Sequence, residues 1–204
     1  IAALATGEVD VIIGTQLVAK GHNFPLLTLV GVIDADLGLQ GSDLRAAERT
    51  FQLMRQVAGR AGRADKPGVA VLQTHQPEHP VIRAILGGDE DAFWQTEARE
   101  REAAGVPPYG RLVGIVLSSP DAQEALNVGQ VMARNCSPLT KIGAEVFGPA
   151  PAPIARVRGR HRVRLLVKAS KTAPIQVALT EWTAMFKLPN SLKLSIDIDP
   201  QSFY

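Results

Sequence analysis

Apolar positions in the first part of the chain follow two periods, one typical of buried strands and the other of helices. Residues 9–14, 27–33 and 69–74 are short, β-branched apolar runs, as expected for strands buried in a parallel sheet. Residues 44–58 instead repeat their apolar side chains at helical spacing. Strand, strand, helix and strand in this order predict a parallel α/β layer, whose ligands would lie at the carboxyl ends of the strands.

The rest of the chain has a different order of predicted helices and strands. Residues 91–104 are charged and helix-prone, and the prolines within residues 106–110 stop that helix. Strands and helices then alternate as β-α-β-β-α-β, the ferredoxin-like order. The strands are predicted at 111–118, 145–148, 162–168 and 192–198, with a proline-rich continuation of the second, and the helices at 122–135 and 173–186. We therefore expect an α/β chain with a parallel-sheet domain at 1–88, a helical linker at 89–110 and an α+β domain at 111–204.

The composition is that of a globular protein. The chain has 204 residues, of which 46% are hydrophobic and 21% charged, enough for one large or two small domains. No apolar run is long enough to cross a membrane and no signal peptide is visible, so we expect a cytoplasmic location. The lone Cys136 excludes an internal disulfide and a Cys-rich zinc site in this sequence. Because the chain opens at Ile1, inside a stretch that we expect to be ordered, we interpret it as part of a longer protein.

Charge is distributed unevenly along the chain. Residues 1–110 hold 10 Lys and Arg against 14 Asp and Glu, a net −4, whereas residues 111–204 hold 12 against 6, a net +6. In one basic stretch every second residue is arginine, namely Arg156, Arg158, Arg160, Arg162 and Arg164. In an extended chain all five would share one face, at a spacing suited to nucleic-acid phosphates, although Gly159 is placed to turn the chain into a hairpin. The alternative is a solvated edge strand that its charge protects from aggregation.

The sequence QVAGRAGR at residues 56–63 ends the predicted helix and carries the most informative spacing in the chain. Arg60 and Arg63 are three residues apart, which puts both guanidinium groups on one helical face, where they can converge on one anion. A γ-phosphate in transfer needs such a planar, permanently charged donor. The alternative is a surface helix end, at which the helix dipole favours cations.

Two carboxylates follow the second predicted strand. Alternation would point Asp34 and Asp36 the same way, which raises the hypothesis of a metal or acid–base pair. We favour a turn-forming role with an ion pair to Arg45 or Arg49, and we assign neither carboxylate to catalysis.

Several motifs together resemble one family of proteins. GTQ at 14–16, AKGHNFP at 19–25 and TLV at 28–30 resemble motif V of superfamily 2 helicases, and QVAGRAGRA at 56–64 resembles motif VI. The further matches are DADLG at 34–38, RAAER at 45–49, QTH and PEHP within 73–80, GPAPAP at 148–153 and DIDP at 197–200. The whole pattern, over nearly all of the chain, resembles the primosomal replication-restart helicases.

This resemblance implies a nucleotide site. Residues 1–88 would be the end of a RecA-like second helicase lobe, in which Arg63 reaches the γ-phosphate of ATP, Arg60 assists it and Gln56 orients nucleotide or water. The other implied contacts are Gly21, Asn23 and Gly59 with the nucleotide, and Thr15, Gln16 and Lys20 with the DNA backbone. A capping role for Thr15 is the alternative. The five alternating arginines would also bind nucleic acid.

The resemblance also implies what lies elsewhere. The sequence holds neither a GxxxxGK[ST] phosphate loop nor a DExH motif. ATP and Mg²⁺ would therefore be bound mainly by a first lobe outside these residues, and this fragment alone should be inactive. The zinc-binding cysteines of such helicases would also lie outside it, and no metal site is predicted here.

The implied function is that of an ATP-dependent 3′–5′ DNA helicase that recognises stalled or branched replication forks and initiates primosome assembly. Its partners would be branched and single-stranded DNA, other primosome proteins and single-strand-binding proteins, with no membrane. One alternative is a degenerate, non-enzymatic DNA-binding scaffold that loads replication proteins. Another is a nucleic-acid-binding module in which the β-α-β-β-α-β half acts alone.

Overall fold

The computed structural model describes residues 8–14, 27–39, 44–58 and 68–201 of the chain. The chain divides into two compact units, Ile1–Gln95 (unit 1) and Thr96–Tyr204 (unit 2). In the described ranges no helix is both long enough and apolar enough to cross a membrane.

Unit 1 contains two short parallel strands. β1 (Leu29–Val32) and β2 (Val69–Leu72) pair in parallel over their whole length. Both strands fall inside the predicted runs, and their parallel pairing is confirmed. The helical elements in the described part of the unit are a 3-10 helix (Ala35–Leu39), α1 (Ala46–Ala58), α2 (Pro80–Gly87) and the first part of α3 (Glu90–Ala104).

The core of unit 1 is aromatic. The helical spacing predicted for α1 buries Phe51 and Met54. Phe51 stacks on Phe93 of α3, with ring centroids 4.0 Å apart and planes 6° from parallel, and Trp94 contacts both rings edge-on. Stacked and edge-on rings gain attraction beyond the area that they bury, so these three rings hold α1 against the start of α3.

Helix α2 was missed from sequence, although its ends carry recognisable signals. Pro80 occupies the first turn, and Nδ1 of His79 accepts a hydrogen bond from the backbone N–H of Val81 at 3.2 Å. Gly88 ends the helix with a left-handed φ of 71°.

The strand predicted at residues 9–14 was wrong. Val11 and Ile13 are 73% and 95% exposed, and no strand is assigned to residues 8–14. A β-branched run favours the extended conformation, but a strand also needs a hydrogen-bonded neighbour. Within the described residues β1 pairs with β2 alone.

Unit 2 is a four-stranded antiparallel sheet with helices packed on one face. The strands β3 (Gly110–Ser119), β4 (Glu145–Val157), β5 (Arg160–Ser170) and β6 (Lys193–Ile198) lie in the order β4-β5-β3-β6. The helices are α4 (Ala122–Arg134), α5 (Ser137–Lys141) and α6 (Ile175–Ala184). All four strands and both helices predicted for this half are present, and the proline-rich continuation belongs to β4. The short helix α5 was not predicted.

Alternation along the central strands builds the core of unit 2. Ile115 of β3 and Leu165 of β5 are fully buried among residues of α4 and α6. Trp182 of α6 is also fully buried, and its indole N–H donates to the backbone oxygens of Met132 at 3.3 Å and Asn135 at 3.0 Å. The ring therefore fills the layer between the helices and ties α6 to the end of α4.

The mixed α/β class expected from sequence is confirmed. Helix α3 crosses the division between the two units, since the division falls between Gln95 and Thr96. The predicted role of residues 89–110 as a linker, and the domain boundaries at 88 and 111, remain predictions.

Replacing Trp182 by alanine should strongly destabilise unit 2. The change removes a fully buried ring and two hydrogen bonds, and core truncations of this kind cost about 3–5 kcal/mol. Urea unfolding followed by far-ultraviolet circular dichroism measures the loss. The control is Val131→Ala on α4, a side chain that is 50% exposed, with an expected change of about 0.5 kcal/mol or less. Equal losses in the two variants would contradict the core position of the indole.

Candidate functional site

Most of the predicted nucleotide contacts lie outside the described residues. Gln56 is described, in the last turn of α1, where its side chain is exposed. The predicted site residues outside the described ranges are Thr15, Gln16, Lys20, Gly21, Asn23, Gly59, Arg60 and Arg63. Their roles remain predictions.

The two carboxylates after β1 do not form a pair. Asp34 is exposed and has a φ of 53°, whereas Asp36 is 2% exposed within the 3-10 helix. The expectation that they point the same way was wrong, because strand alternation ends with β1 and the 3-10 helix turns the second carboxylate inward. No cluster of three or more His, Cys, Asp or Glu side chains suited to a metal is found in the described part of the chain.

Asp36 binds the loop that follows β2. Its two carboxylate oxygens accept hydrogen bonds from the Thr74 hydroxyl at 2.5 Å and from the backbone N–H of His75 at 2.6 Å. These contacts replace the ion pair to Arg45 or Arg49 that we favoured. Because Asp36 follows β1 and Thr74 follows β2, the carboxylate joins the two strands at their carboxyl ends, where α/β sheets place their ligands.

The same contacts shift the ionisation of this carboxyl group. The hydrogen bond from Thr74, and after it the one from the backbone of His75, lowers the pKa of Asp36 below its ordinary value. Burial acts in the opposite direction and is outweighed. The charged form of Asp36 is therefore the one that holds the loop.

The five alternating arginines lie on a β-hairpin formed by β4 and β5. Arg158 and Gly159 form its two-residue turn, with φ values of 48° and 78°. Two successive residues with positive φ are typical of the type I′ turn, which suits the twist of antiparallel strands. Val157 lies opposite Arg160 across the turn, and Arg156 lies opposite His161.

This register separates the arginines into two sets. Arg160, Arg162 and Arg164 alternate with the buried residues of β5 and therefore point away from the helices. Arg156 is paired with His161, on the other face of the hairpin. The five arginines would share one face only in an extended chain. In the hairpin that turns at Gly159, Arg156 of β4 lies opposite the odd-numbered His161 of β5 and therefore leaves the face of Arg160, Arg162 and Arg164.

Strand pairing adds two lysines to the arginines of β5. Lys168 lies on the same side of β5, and Lys193 of β6 lies opposite Ser118 of β3, which is paired with Arg162 on its other side. We call this surface the basic face, formed by Arg160, Arg162, Arg164, Lys168 and Lys193. Two acidic residues share it, namely Asp197 and Glu145, and Glu145 contacts Lys168 at 3.4 Å.

Sequence reasoning missed both lysines as part of the surface. Lys168 follows the arginines along β5 itself, whereas Lys193 joins them only through strand pairing. Phe147, which is 45% exposed and lies opposite Leu166, was missed for the same reason. A sequence signal existed for Lys168, since it continues the alternation of the arginines on β5.

The arginines differ in how they are bound. The guanidinium of Arg160 donates to the hydroxyl and backbone oxygens of Ser118 at 3.1 and 2.6 Å, and to the backbone oxygen of Ser191 at 2.5 Å. Arg162 donates to the backbone oxygen of Ile154 at 3.4 Å, across the hairpin. Within the described residues the exposed side chains of Arg156 and Arg158 have no ion pair or hydrogen bond.

Comparison with known proteins identifies relatives of both units. Residues 102–201 match the family described as the primosomal protein N C-terminal domain. The replication restart protein PriA of Rickettsia felis is 43% identical over 197 residues, which cover 97% of this chain and 30% of that protein. PriA of Treponema pallidum is 39% identical over 95% of this chain and 30% of that protein, and PriA of Bacillus subtilis is 36% identical over 98% of this chain and 25% of that protein. The chain thus spans less than a third of the length of these curated relatives.

Asp36→Asn should remove a pH-dependent part of the stability of unit 1. Because the folded-state pKa is lowered, the charged carboxylate stabilises the fold fully above its ordinary pKa of about 4. This contribution is lost as the pH falls through the lowered, folded-state pKa. We therefore expect Asp36→Asn to be less stable than wild type at pH 7, with the difference shrinking below about pH 4.

Thermal unfolding of both proteins between pH 2 and pH 7 measures this difference. Asp34→Asn is the matched control, since that residue is exposed and asparagine tolerates its left-handed φ of 53°. A gap between wild type and Asp36→Asn that stays constant with pH would show that the charge of Asp36 does not hold the loop.

Proposed function

The chain belongs to the family of the replication restart protein PriA, and from this premise we propose that it is the C-terminal part of an ATP-dependent DNA helicase. The helicase would recognise stalled or branched replication forks, move 3′ to 5′ on single strands and initiate assembly of the restart primosome. Its DNA partners would be branched and single-stranded, and its protein partners other primosome components and single-strand-binding proteins in the cytoplasm.

The observation that carries the DNA-binding part of this proposal is the charge of the β4–β5 hairpin and its surroundings. Residues 146–180 contain seven Lys and Arg and no Asp or Glu. Three of the arginines are held on one side of β5 at intervals of about 6.6–6.8 Å by the strand geometry. A dense row of cations that outnumber the carboxylates around them attracts the phosphates of nucleic acid and releases their counterions.

The nucleotide-binding part rests on the motif resemblance. Gln56 lies on the exposed side of α1, four residues before Arg60 and seven before Arg63 in sequence. Arg63 would complete an ATP site as the finger on the γ-phosphate, with Arg60 assisting and with Gly21, Asn23 and Gly59 beside the nucleotide. ATP and Mg²⁺ would be held mainly by residues outside this sequence, as would any zinc. Thr15, Gln16 and Lys20 would contact the DNA backbone near this site.

The folds proposed for the two units agree with this division. In unit 2, β5 lies between β3 and β4, so it splits the β3-α4-β4 segment as a ferredoxin-like fold does. In unit 1, β1 and β2 are parallel neighbours, as expected for part of the parallel sheet of a RecA-like second lobe.

Arg63→Ala in the full-length protein should abolish DNA-stimulated ATP hydrolysis. An arginine finger typically contributes about 10³-fold or more to turnover. We expect the affinity for single-stranded DNA to be kept, since the finger acts on the γ-phosphate. Steady-state phosphate release and fluorescence anisotropy with a labelled strand measure the two quantities.

Arg55→Ala is the control for this experiment. Arg55 lies in the last turn of α1, and its guanidinium contacts Glu90 at 3.3 Å on the surface, so turnover should not change. Unchanged turnover in Arg63→Ala would remove the finger assignment. Absence of hydrolysis in the wild-type full-length protein would instead favour the non-enzymatic scaffold.

Arg162→Gln with Arg164→Gln should weaken the binding of single-stranded and duplex DNA alike. Each lost phosphate contact should make the slope of log affinity against log salt less steep by about 0.7 for single strands and about 0.9 for duplex. Lys187→Gln, an exposed cation that follows α6, is the control and should leave both slopes unchanged. Unaltered slopes in the arginine double variant would exclude the basic face from the DNA contact.

A further inference from the structure

We propose that the tip of the β4–β5 hairpin enters a groove of duplex DNA. Arg156 and Arg158 would contact phosphates on the groove edges, and Ile154 and Val157 would pack against the sugars and bases inside. This inference rests on the proposed DNA-binding function of unit 2 and assigns a separate role to the part of the hairpin that lies outside the basic face.

The tip extends past the end of its neighbouring strand. β3 ends at Ser119, which is paired with His161, so the hairpin continues past it by the pair Val157–Arg160 and the turn at Arg158 and Gly159. Residues 153–159 are all exposed, a run of seven. The Val157–Arg160 pair and its turn therefore have no third strand beside them in the described part of unit 2.

A bulge shapes one side of this ribbon. Pro151 is paired with Val163 and Arg156 with His161, so four residues of β4 face a single residue of β5. This bulge pushes Ile154 outward, and its side chain is 47% exposed, while Val157 beside the turn is 38% exposed. Bulges on edge strands re-aim side chains in this way.

The tip of the hairpin is held in place by two arginines that donate hydrogen bonds to the protein itself. Beside the turn, Arg160 binds three oxygens on Ser118 and Ser191, and Arg162 binds the backbone oxygen of Ile154 inside the bulge. These contacts fix the tip before any ligand arrives, which lowers the entropy lost on binding. Arg156 and Arg158 remain as the cations whose donors are unused within the described residues.

The chemistry of the tip favours a duplex groove over a single strand. A two-stranded β-ribbon fits the major groove, which is about 12 Å wide. Apolar side chains flanked by cations are the combination with which proteins fill a groove and hold its phosphates. Single-strand sites instead need aromatic platforms for the bases, and residues 148–160 contain no Phe, Trp or Tyr.

The backbone conformation of Arg158 also supports a functional contact at this position. A φ of 48° is unfavourable for arginine and favourable for asparagine, so the turn would be more stable with Asn at this position. Residues in unfavourable backbone conformations cluster at functional sites, so a contact with DNA explains why arginine occupies this exposed turn. Arg158→Asn therefore separates function from folding, because it should lower DNA affinity without lowering the unfolding temperature.

The test compares a labelled duplex of 20 base pairs with a single strand of 20 nucleotides, titrated with the full-length protein at several salt concentrations. For Arg156→Gln with Arg158→Asn we expect weaker duplex binding, with a salt slope that is less steep by about 1.8 for two lost phosphate contacts. Single-strand affinity should stay at the wild-type value. Ile154→Ser with Val157→Ser should weaken duplex binding and leave the slope unchanged, since no cation is lost.

Arg134→Gln, an exposed arginine at the end of α4, is the matched control and should change neither affinity. Equal losses for duplex and single strand in the tip variants would overturn the groove assignment while leaving the DNA-binding proposal intact. Wild-type duplex affinity in the tip variants, together with weaker binding in the Arg162→Gln, Arg164→Gln protein, would also overturn it. Wild-type affinity in both sets would show that the DNA-binding proposal itself fails.

Discussion

An excess of positive charge over carboxylates is the constraint that organises unit 2. Seven cations and no acidic residue occur within residues 146–180, so carboxylates for ion pairs must come from outside this segment, as Glu145 does for Lys168 at 3.4 Å. Carbonyl oxygens take over part of that role: Arg160 is bound by the backbone oxygens of Ser118 and Ser191, which belong to the end of β3 and to the segment before β6. The remaining charge has to be balanced by solvent ions or by an external polyanion, such as the nucleic acid that we propose as its ligand.

The same guanidinium chemistry therefore serves two purposes on one hairpin. Arg160 and Arg162 of β5 donate to oxygens of the protein and fix the geometry, while Arg156 and Arg158 have their donors unused within the described residues. A planar group with five donors can do either, and its surroundings decide which. A lysine would suit the first role less well, because its three donors are not fixed in a plane.

Unit 1, in contrast, contains a buried negative charge. Asp36 lies at the carboxyl end of β1 and is stabilised by two donors from the loop after β2, so the charge that would be costly inside the protein instead joins two loops. Motifs V and VI flank this region in sequence, on either side of β1 and α1. This connection between the strand ends would support the nucleotide site that we propose at this edge of the sheet.

The sequence by itself determined the class of the fold, most of the elements and the family, because hydrophobic period, capping residues and motif spacing are local properties. The strands and helices of unit 2 could be predicted in this way, as could α1. The strand at 9–14 could not be judged locally, since a strand depends on a neighbour that periodicity does not reveal. Only the tertiary structure decided which cations share a face, because strand register brings Lys193 beside Ser118 and Arg162 and the turn at Gly159 places Arg156 on the opposite side. It also decided that Asp36 faces inward and Asp34 outward, since the 3-10 helix after β1 breaks the alternation that the sequence suggested.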